Sequence, residues 1–109
     1  MISIYCGNDK TFIFERINAS GETITTRPQK IWFSVKGKIE NMGFIFQKTM
    51  DNGIIQREDG CWEVSIDADD TATVLPGKYV CDVKIIDEQG EARTIVKPQD
   101  FVVLAVVTN

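Results

Sequence analysis

Asp67, Asp69 and Asp70 form the densest group of potential ligands in the chain, and clustered carboxylates are the raw material of a calcium loop. Such a loop sets oxygen ligands at alternating positions, a glycine at the sixth and a bidentate glutamate at the twelfth. Counted from Asp67, those positions are Ala72 and Lys78. A helix start accounts for the same acids better. Asp67 suits the N-cap, and Asp69 and Asp70 fall in a first turn where the helix dipole favours negative charge.

Covalent catalysis finds little to work with. The chain has no histidine, which removes the usual general base and the commonest metal ligand. Cys6, Cys61 and Cys81 match no metal-ligand spacing. They read as free thiols on strands or in the core, with one bridge and a leftover thiol as the other arrangement. No Gly-x-Ser-x-Gly turn is present, and the isolated glycines each fit a turn rather than a phosphate loop. Glu15, Glu63 and Asp82 fall on outward strand positions, where solvated charge belongs. No catalytic residue, cofactor or metal is expected.

Apolar side chains on outward positions carry more information. Trp32, and the face of the last strand that bears Val102, Leu104 and Val106, need something to cover them, either a loop of the same chain or a partner. Contiguous exposed apolar area beyond a few hundred Å² marks an interface, and tryptophan is enriched at binding hot spots.

The elements that place these residues are strands. From Leu75 to Ile86 the chain alternates for a long stretch, with Tyr79, Cys81, Val83 and Ile85 on one face and Lys78, Asp82 and Lys84 on the other. That is a strand with one buried face, and its length puts it at the centre of a sheet. Met1 to Tyr5 predicts a short edge strand. Thr11 to Ile17 sets Phe12 and Phe14 against Ile13 and Ile17, and after the turn at Asn18–Gly21 the segment 22–29 is a connection with a short edge strand. Ile31, Phe33 and Val35 point inward on the strand 30–36 and leave Trp32 outside. A loop over 37–43 carries Lys38 and Glu40. Phe44 and Phe46 share a face on the strand 44–49. Asp51-Asn52-Gly53 signals a tight hairpin, from which Ile54 to Gln56 pairs back. Trp62, Val64 and Ile66 point inward, and a helix over 68–74 crosses between layers. A hairpin at Asp87–Gly90 returns through Ala92–Val96, Pro98 marks a bulge or break, and Phe101–Val107 is a final strand. Seven or eight short strands at intervals of about ten residues predict an all-β, antiparallel sandwich.

Totals agree. A chain of 109 residues, 43% hydrophobic and 26% charged, is one domain able to bury its own core. A net charge of −4 argues against a nucleic-acid partner, which calls for a basic patch. No apolar run approaches the roughly 20 residues of a membrane span, and no basic segment followed by an apolar one opens the chain. A cytoplasmic origin without a signal peptide is therefore expected.

Two resemblances follow. Asp70 with Gly77-Lys78-Tyr79-Val80-Cys81 resembles the Asp…Gly-x-Tyr-x-Cys stretch of immunoglobulin domains, where the tyrosine forms a corner. Phe12 and Phe14 stand where the partner cysteine would be, which implies an Ig-like sandwich without its disulfide. More of the chain is similar to the N-terminal domain of phage baseplate upper proteins and related small phage or prophage tail and neck proteins. The similarity runs through a first strand, a Gly-Asn-Asp turn with Thr11-Phe12-Ile13-Phe14, Ile31-Trp32-Phe33-Ser34-Val35-Lys36 and Gln47-Lys48. It continues through Asp69-Asp70-Thr71, Leu75 to Tyr79, Asp82-Val83, Arg93-Thr94-Ile95 and a closing Val106-Val107-Thr108. This resemblance implies a non-catalytic virion module, assembled in the bacterial host cytoplasm. Its partners would be other virion structural proteins or further copies of itself, with no nucleic acid, membrane or small-molecule substrate. Trp32, Val102, Leu104 and Val106 are the expected interface. The alternative class is a carbohydrate- or ligand-binding β-sandwich, which requires a second exposed aromatic beside Trp32.

Overall fold

β-Branched and aromatic runs separated by short turns become strands one after another. The computed structural model describes residues 1–38 and 43–107. In chain order these form β1 (Ile2–Tyr5), β2 (Lys10–Phe14), β3 (Arg16–Ile17), β4 (Thr23–Ile24), β5 (Lys30–Lys36) and β6 (Phe46–Met50). There follow β7 (Gly53–Gln56), β8 (Trp62–Ile66), α1 (Ala68–Thr71), β9 (Gly77–Ile86) and β10 (Ala92–Leu104). Glu40 and most of its loop, and Thr108, lie outside the described residues. Among those described, no helix is long and apolar enough to cross a membrane.

Eight strands hydrogen-bond in the order β1-β10-β9-β5-β6-β7-β8-β2, and β3 pairs with β4 separately. The long sheet folds over so that β2, β8 and β7 face β5, β9 and β10, as an Ig-like sandwich requires. Phe12 of β2 meets Phe33 of β5 edge-on, with ring centroids 5.0 Å apart, and Phe46 meets Phe101 at 5.7 Å. The alternating sets fill the space between: Ile31, Phe33 and Val35 from β5, Trp62, Val64 and Ile66 from β8, and Cys81, Val83 and Ile85 from β9 are all buried. The central position expected for β9 is confirmed, since it pairs with both β5 and β10. Tyr79 donates its hydroxyl to the Leu75 carbonyl, which is the tyrosine corner that the 75–81 stretch led us to expect.

Several details differ from expectation. The sheet is mixed: β1 runs parallel to β10, and β6 parallel to β7. Asp51-Asn52-Gly53 therefore does not make a hairpin. Asp51 at φ 66° and Gly53 at φ 99° coil the chain through a full loop, closed by Thr49 N–H on Asn52 O at 3.1 Å and Asn52 N–H on Thr49 O at 2.9 Å. β7 leaves in the direction β6 arrived and pairs antiparallel with β8 instead. A Cβ on Gly53 would come 2.5 Å from Lys48 Cδ, so the loop needs glycine for space as well as for φ.

Phe44 does not share the inward face of Phe46. The strand begins at Phe46, whose partner is Val35, so Phe44 escapes the alternation and is 55% exposed. The segments 92–96 and 101–107 are one strand, β10, which ends at Leu104 and passes Pro98 through register shifts. That absorbs the missing N–H as a bulge. The helix, expected as one turn or two over 68–74, is a single turn, Ala68–Thr71. The Asp70 carboxylate accepts from Asp67 N–H at 2.7 Å, and Asp9 Oδ1 accepts from Ala68 N–H at 2.7 Å. Thr71, fully buried, takes the Gly7 N–H on its hydroxyl oxygen at 3.0 Å.

Candidate functional site

Two of the three acids that resemble a metal loop, Asp67 and Asp70, are engaged within the chain, and Asp69 is exposed. Lys48 Nζ reaches from β6 to Asp70 at 2.8 Å and Asp67 at 3.4 Å. Burial works to lower the Lys48 pKa, but hydrogen bonds and charge from Asp70 and then Asp67 outweigh it and the pKa is raised. Among the described residues no three His, Cys, Asp or Glu side chains converge as a metal would require. All three cysteines are free.

An ion-pair network that sequence reasoning missed sits at one end of the sandwich. Arg16, 6% exposed, holds Glu88 at 2.7 Å and donates to the Thr26 carbonyl at 3.0 Å. The second Glu88 oxygen accepts from the Thr26 hydroxyl. Asp87, 4% exposed, accepts Arg93 Nε at 2.8 Å on one oxygen, and Gln89 N–H at 3.0 Å and Glu91 N–H at 2.9 Å on the other. The Arg93 hydrogen bond and the Glu91 N–H hold Asp87 below its usual pKa, and the Arg16 hydrogen bond does the same for Glu88. These groups border an open groove of about 630 Å³ between the β3–β4 hairpin and the β9–β10 turn. The polar groups of the clasp face each other, so it closes the end of the fold. An acid-rich turn followed by Arg93 was the signal available in the sequence.

The four expected interface residues fall in two places. Val102 and Leu104 point outward on β10, alternating with buried Phe101 and Val103. Leu104, 37% exposed, lies beside Tyr5 of β1, 52% exposed. Val106, half-buried, follows the strand end. Tyr5 was not foreseen as part of this patch. Trp32 also points outward, half-buried, but its row crosses β9 at Lys84 whereas the Val102 row crosses at Lys78. At about 3.3 Å per residue those rows lie roughly 20 Å apart.

Around Trp32 the surface is a shallow trough of about 440 Å³, lined by Phe44, Ser34, Gln47, Asp82, Lys84 and Thr94 among others. Around Leu104 the outward neighbours are Tyr5 across the β1–β10 ladder and Val102 on the same face of β10. On the adjacent free edge of β1 the outward carbonyls are engaged within the chain. Cys6 N–H donates to Leu104 O at 2.9 Å, so by alternation Ser3 and Tyr5 turn their backbone groups away from β10. The Tyr5 carbonyl takes the Asn8 N–H at 3.0 Å, and the Ser3 carbonyl takes a side chain from β2.

Comparison with known proteins places the fold alone. No protein-family model matches the chain, and no curated protein does. Among solved structures it is similar to part of a putative glycoside hydrolase from Bacteroides vulgatus ATCC 8482, with a TM-score of 0.53 and 11% identity. The match covers 99% of this chain and 17% of that one.

Proposed function

We propose that the chain is a non-catalytic phage or prophage virion module that docks into a tail, baseplate or neck assembly. Its order of strand and turn segments, which is similar to that of baseplate upper protein N-terminal domains, supports the virion setting. The observation that carries docking is the outward apolar row of Tyr5, Leu104 and Val102, continued by Val106, on the rigid β1–β10 pair. Because both outward carbonyls of β1 are occupied within the chain, docking proceeds face-on through side chains rather than by strand addition. Burying such a patch contributes on the order of 25 cal/mol per Å² of apolar surface before ordering costs.

Co-expression with the products of the flanking reading frames tests this. A tail or baseplate protein should co-purify with the chain, and Leu104→Lys should abolish the complex while leaving the fold intact. Flanking frames devoid of virion proteins, or a complex indifferent to Leu104→Lys and Tyr5→Lys, would overturn it.

A further inference from the structure

We propose that the outer edge of β2 and β3, from Thr11 to Ile17, receives an extended strand of a partner protein that carries apolar side chains on either side of a lysine or arginine. The long sheet ends in β1 on one side and β2 on the other. At the β1 end the outward carbonyls are engaged within the chain. At the β2 end they are not. The contact is separate from the Leu104 patch and does not depend on the role given to that patch.

Two hairpins decide which backbone groups point off this edge. Arg57 N–H donates to Cys61 O at 2.7 Å, so Cys61 and, by alternation, Glu63 turn their backbone groups toward β7. Trp62 and Val64 therefore turn toward β2, where Phe14 and Phe12 stand opposite them. That sends the N–H and C=O of Thr11 and Ile13 outward. In the second hairpin Asn18 N–H donates to Glu22 O at 2.9 Å, so Arg16 turns toward β4 and Ile17 away from it. Burial keeps the same step along the whole stretch, with Thr11, Ile13, Glu15 and Ile17 exposed and Phe14 and Arg16 buried. Among the described residues no hydrogen bond outside the ladders reaches the backbone groups of Thr11, Ile13 or Ile17. Nor does β4 cover them, since Gln56 Nε2 donates to Thr25 O at 2.7 Å and holds the chain after β4 on the β8 side of β2. Unpaired edge groups recognise another backbone, and alternate side chains supply the selectivity.

Side chains choose the occupant. Ile13 and Ile17 are 50% and 55% exposed, and Glu15 lies between them. The outward positions from Thr11 to Ile17 and along β8 hold Glu15 and Glu63 and no lysine or arginine. Glu15 takes the Thr23 hydroxyl at 3.1 Å on Oε2, and that contact carries no charge. Arg57, beyond β8, is matched by Asp59 at 3.6 Å, and Lys10, of inward parity, reaches Ser3 on β1. A strand with a cation opposite Glu15 and apolar residues opposite Ile13 and Ile17 satisfies every row. Its pattern reads the same in both directions, so it suits parallel or antiparallel addition. A second copy of the chain does not, because it would bring another Glu15 and Glu63 to the junction with no outward cation between them.

The test is titration of the intact chain with the peptide acetyl-Thr-Val-Thr-Lys-Thr-Val-Thr-amide and with its counterpart carrying Glu for Lys, followed by ¹⁵N–¹H NMR and amide exchange. In the free chain the Thr11 and Ile13 amides should exchange rapidly. The lysine peptide should slow them and give saturable shifts centred on residues 11–17. It should bind about threefold more tightly than the glutamate peptide, and Glu15→Gln should shrink that ratio. N-methylation of alternate peptide residues should abolish binding in one frame and spare it in the other, which contact through side chains alone would not do. Leu104→Lys should alter none of this, which separates the edge from the docking patch. Absence of saturable shifts, shifts centred on other elements, equal binding of the two peptides, or an equal effect of both N-methylation frames would overturn the proposal. So would Thr11 and Ile13 amides already protected in a dimer of the free chain seen by light scattering, which would place a second copy on the edge.

Discussion

Lys10 Nζ donates to the Ser3 carbonyl at 2.7 Å, so the first residue of β2 caps the outer edge of β1. The ends of the long sheet, β1 and β2, are thereby fastened across the sandwich by one side chain. Charged residues that blunt an edge suppress unwanted strand pairing. Lys10→Met keeps the aliphatic stem and deletes the donor. At matched concentration the variant should show a larger mass by light scattering than the parent, with a stability loss of about 1 kcal/mol. Identical masses across the concentration range would refute the capping role.

Trp62 separates size from hydrogen bonding. It is fully buried, and its Nε1 has no partner among the described residues, while the Arg27 guanidinium stands 5.9 Å from the ring centroid. Trp62→Ala should cost about 3–5 kcal/mol through the cavity it leaves. Trp62→Phe forfeits no hydrogen bond and should cost less than about 2 kcal/mol. Chemical denaturation of both variants measures the difference; equal losses would mean that the indole N–H is satisfied in solution.

Acid should loosen the end of the fold that Asp87 and Glu88 clasp. Both carboxyls have folded pKa values lowered from 3.8 and 4.5. Their contribution is complete above those unfolded values and is lost as pH falls through the lower folded ones. Asp87→Asn should therefore flatten the decline of stability on the acid side while lowering the plateau near neutrality. An acid limb with the parent's slope would contradict this.

Thiol labelling should divide the cysteines. Burial, then the Asp82 charge, pushes the Cys81 pKa up to about 12, and thiolate is the reactive form. Labelling of Cys81 by an aromatic disulfide reagent near neutral pH should proceed only at the rate of unfolding, accelerating with denaturant. Labelling as fast as that of a small free thiol would show that the β9 face opens in the native state.

Lys48→Met probes the tie between β6 and α1. The side chain is 11% exposed and bonds Asp70 at 2.8 Å, so the loss should be about 1.5–3 kcal/mol by thermal denaturation. Because folding raises the Lys48 pKa, the parent should keep this stabilisation below pH 10.5 and surrender it above, whereas the variant should not. A parallel alkaline limb in the two proteins would sink the assignment.

Legibility of the sequence followed periodicity. Alternation in 30–36, 61–66 and 77–86 identified buried and outward faces residue by residue, because a one-residue slip would invert every side chain. Pro98, with no N–H to give a ladder, signalled a bulge or a break, and the tyrosine corner came from the resemblance of 77–81 to immunoglobulin domains. What local pattern does not contain is strand direction. Asn52-Gly53 favours φ > 0 at both positions, yet the positive φ falls on Asp51 (66°) and Gly53 (99°) and not on Asn52, and the resulting coil yields a parallel pair where a hairpin was expected. Phe44 shows the matching limit on side chains. Its parity agreed with Phe46, but parity applies only once the ladder has begun, and the two aromatics parted where it started. The Arg16–Glu88 pair joins segments 72 residues apart, so no window of sequence displays it, whereas Asp87 and Arg93 lie six residues apart across one turn and their pairing was within local reach.

The parallel register of β1 on β10, from Ile2 opposite Phe101 to Tyr5 opposite Leu104, has a mechanical consequence. Tension applied through the chain before β1 and after β10 pulls these neighbours in opposite directions along their own axes. The hydrogen bonds between them lie across that load and are strained together in shear, where a hairpin would unzip them one by one. A module joined to its surroundings at those two points resists extension as a clamp, and it yields only when the whole β1 ladder gives way at once.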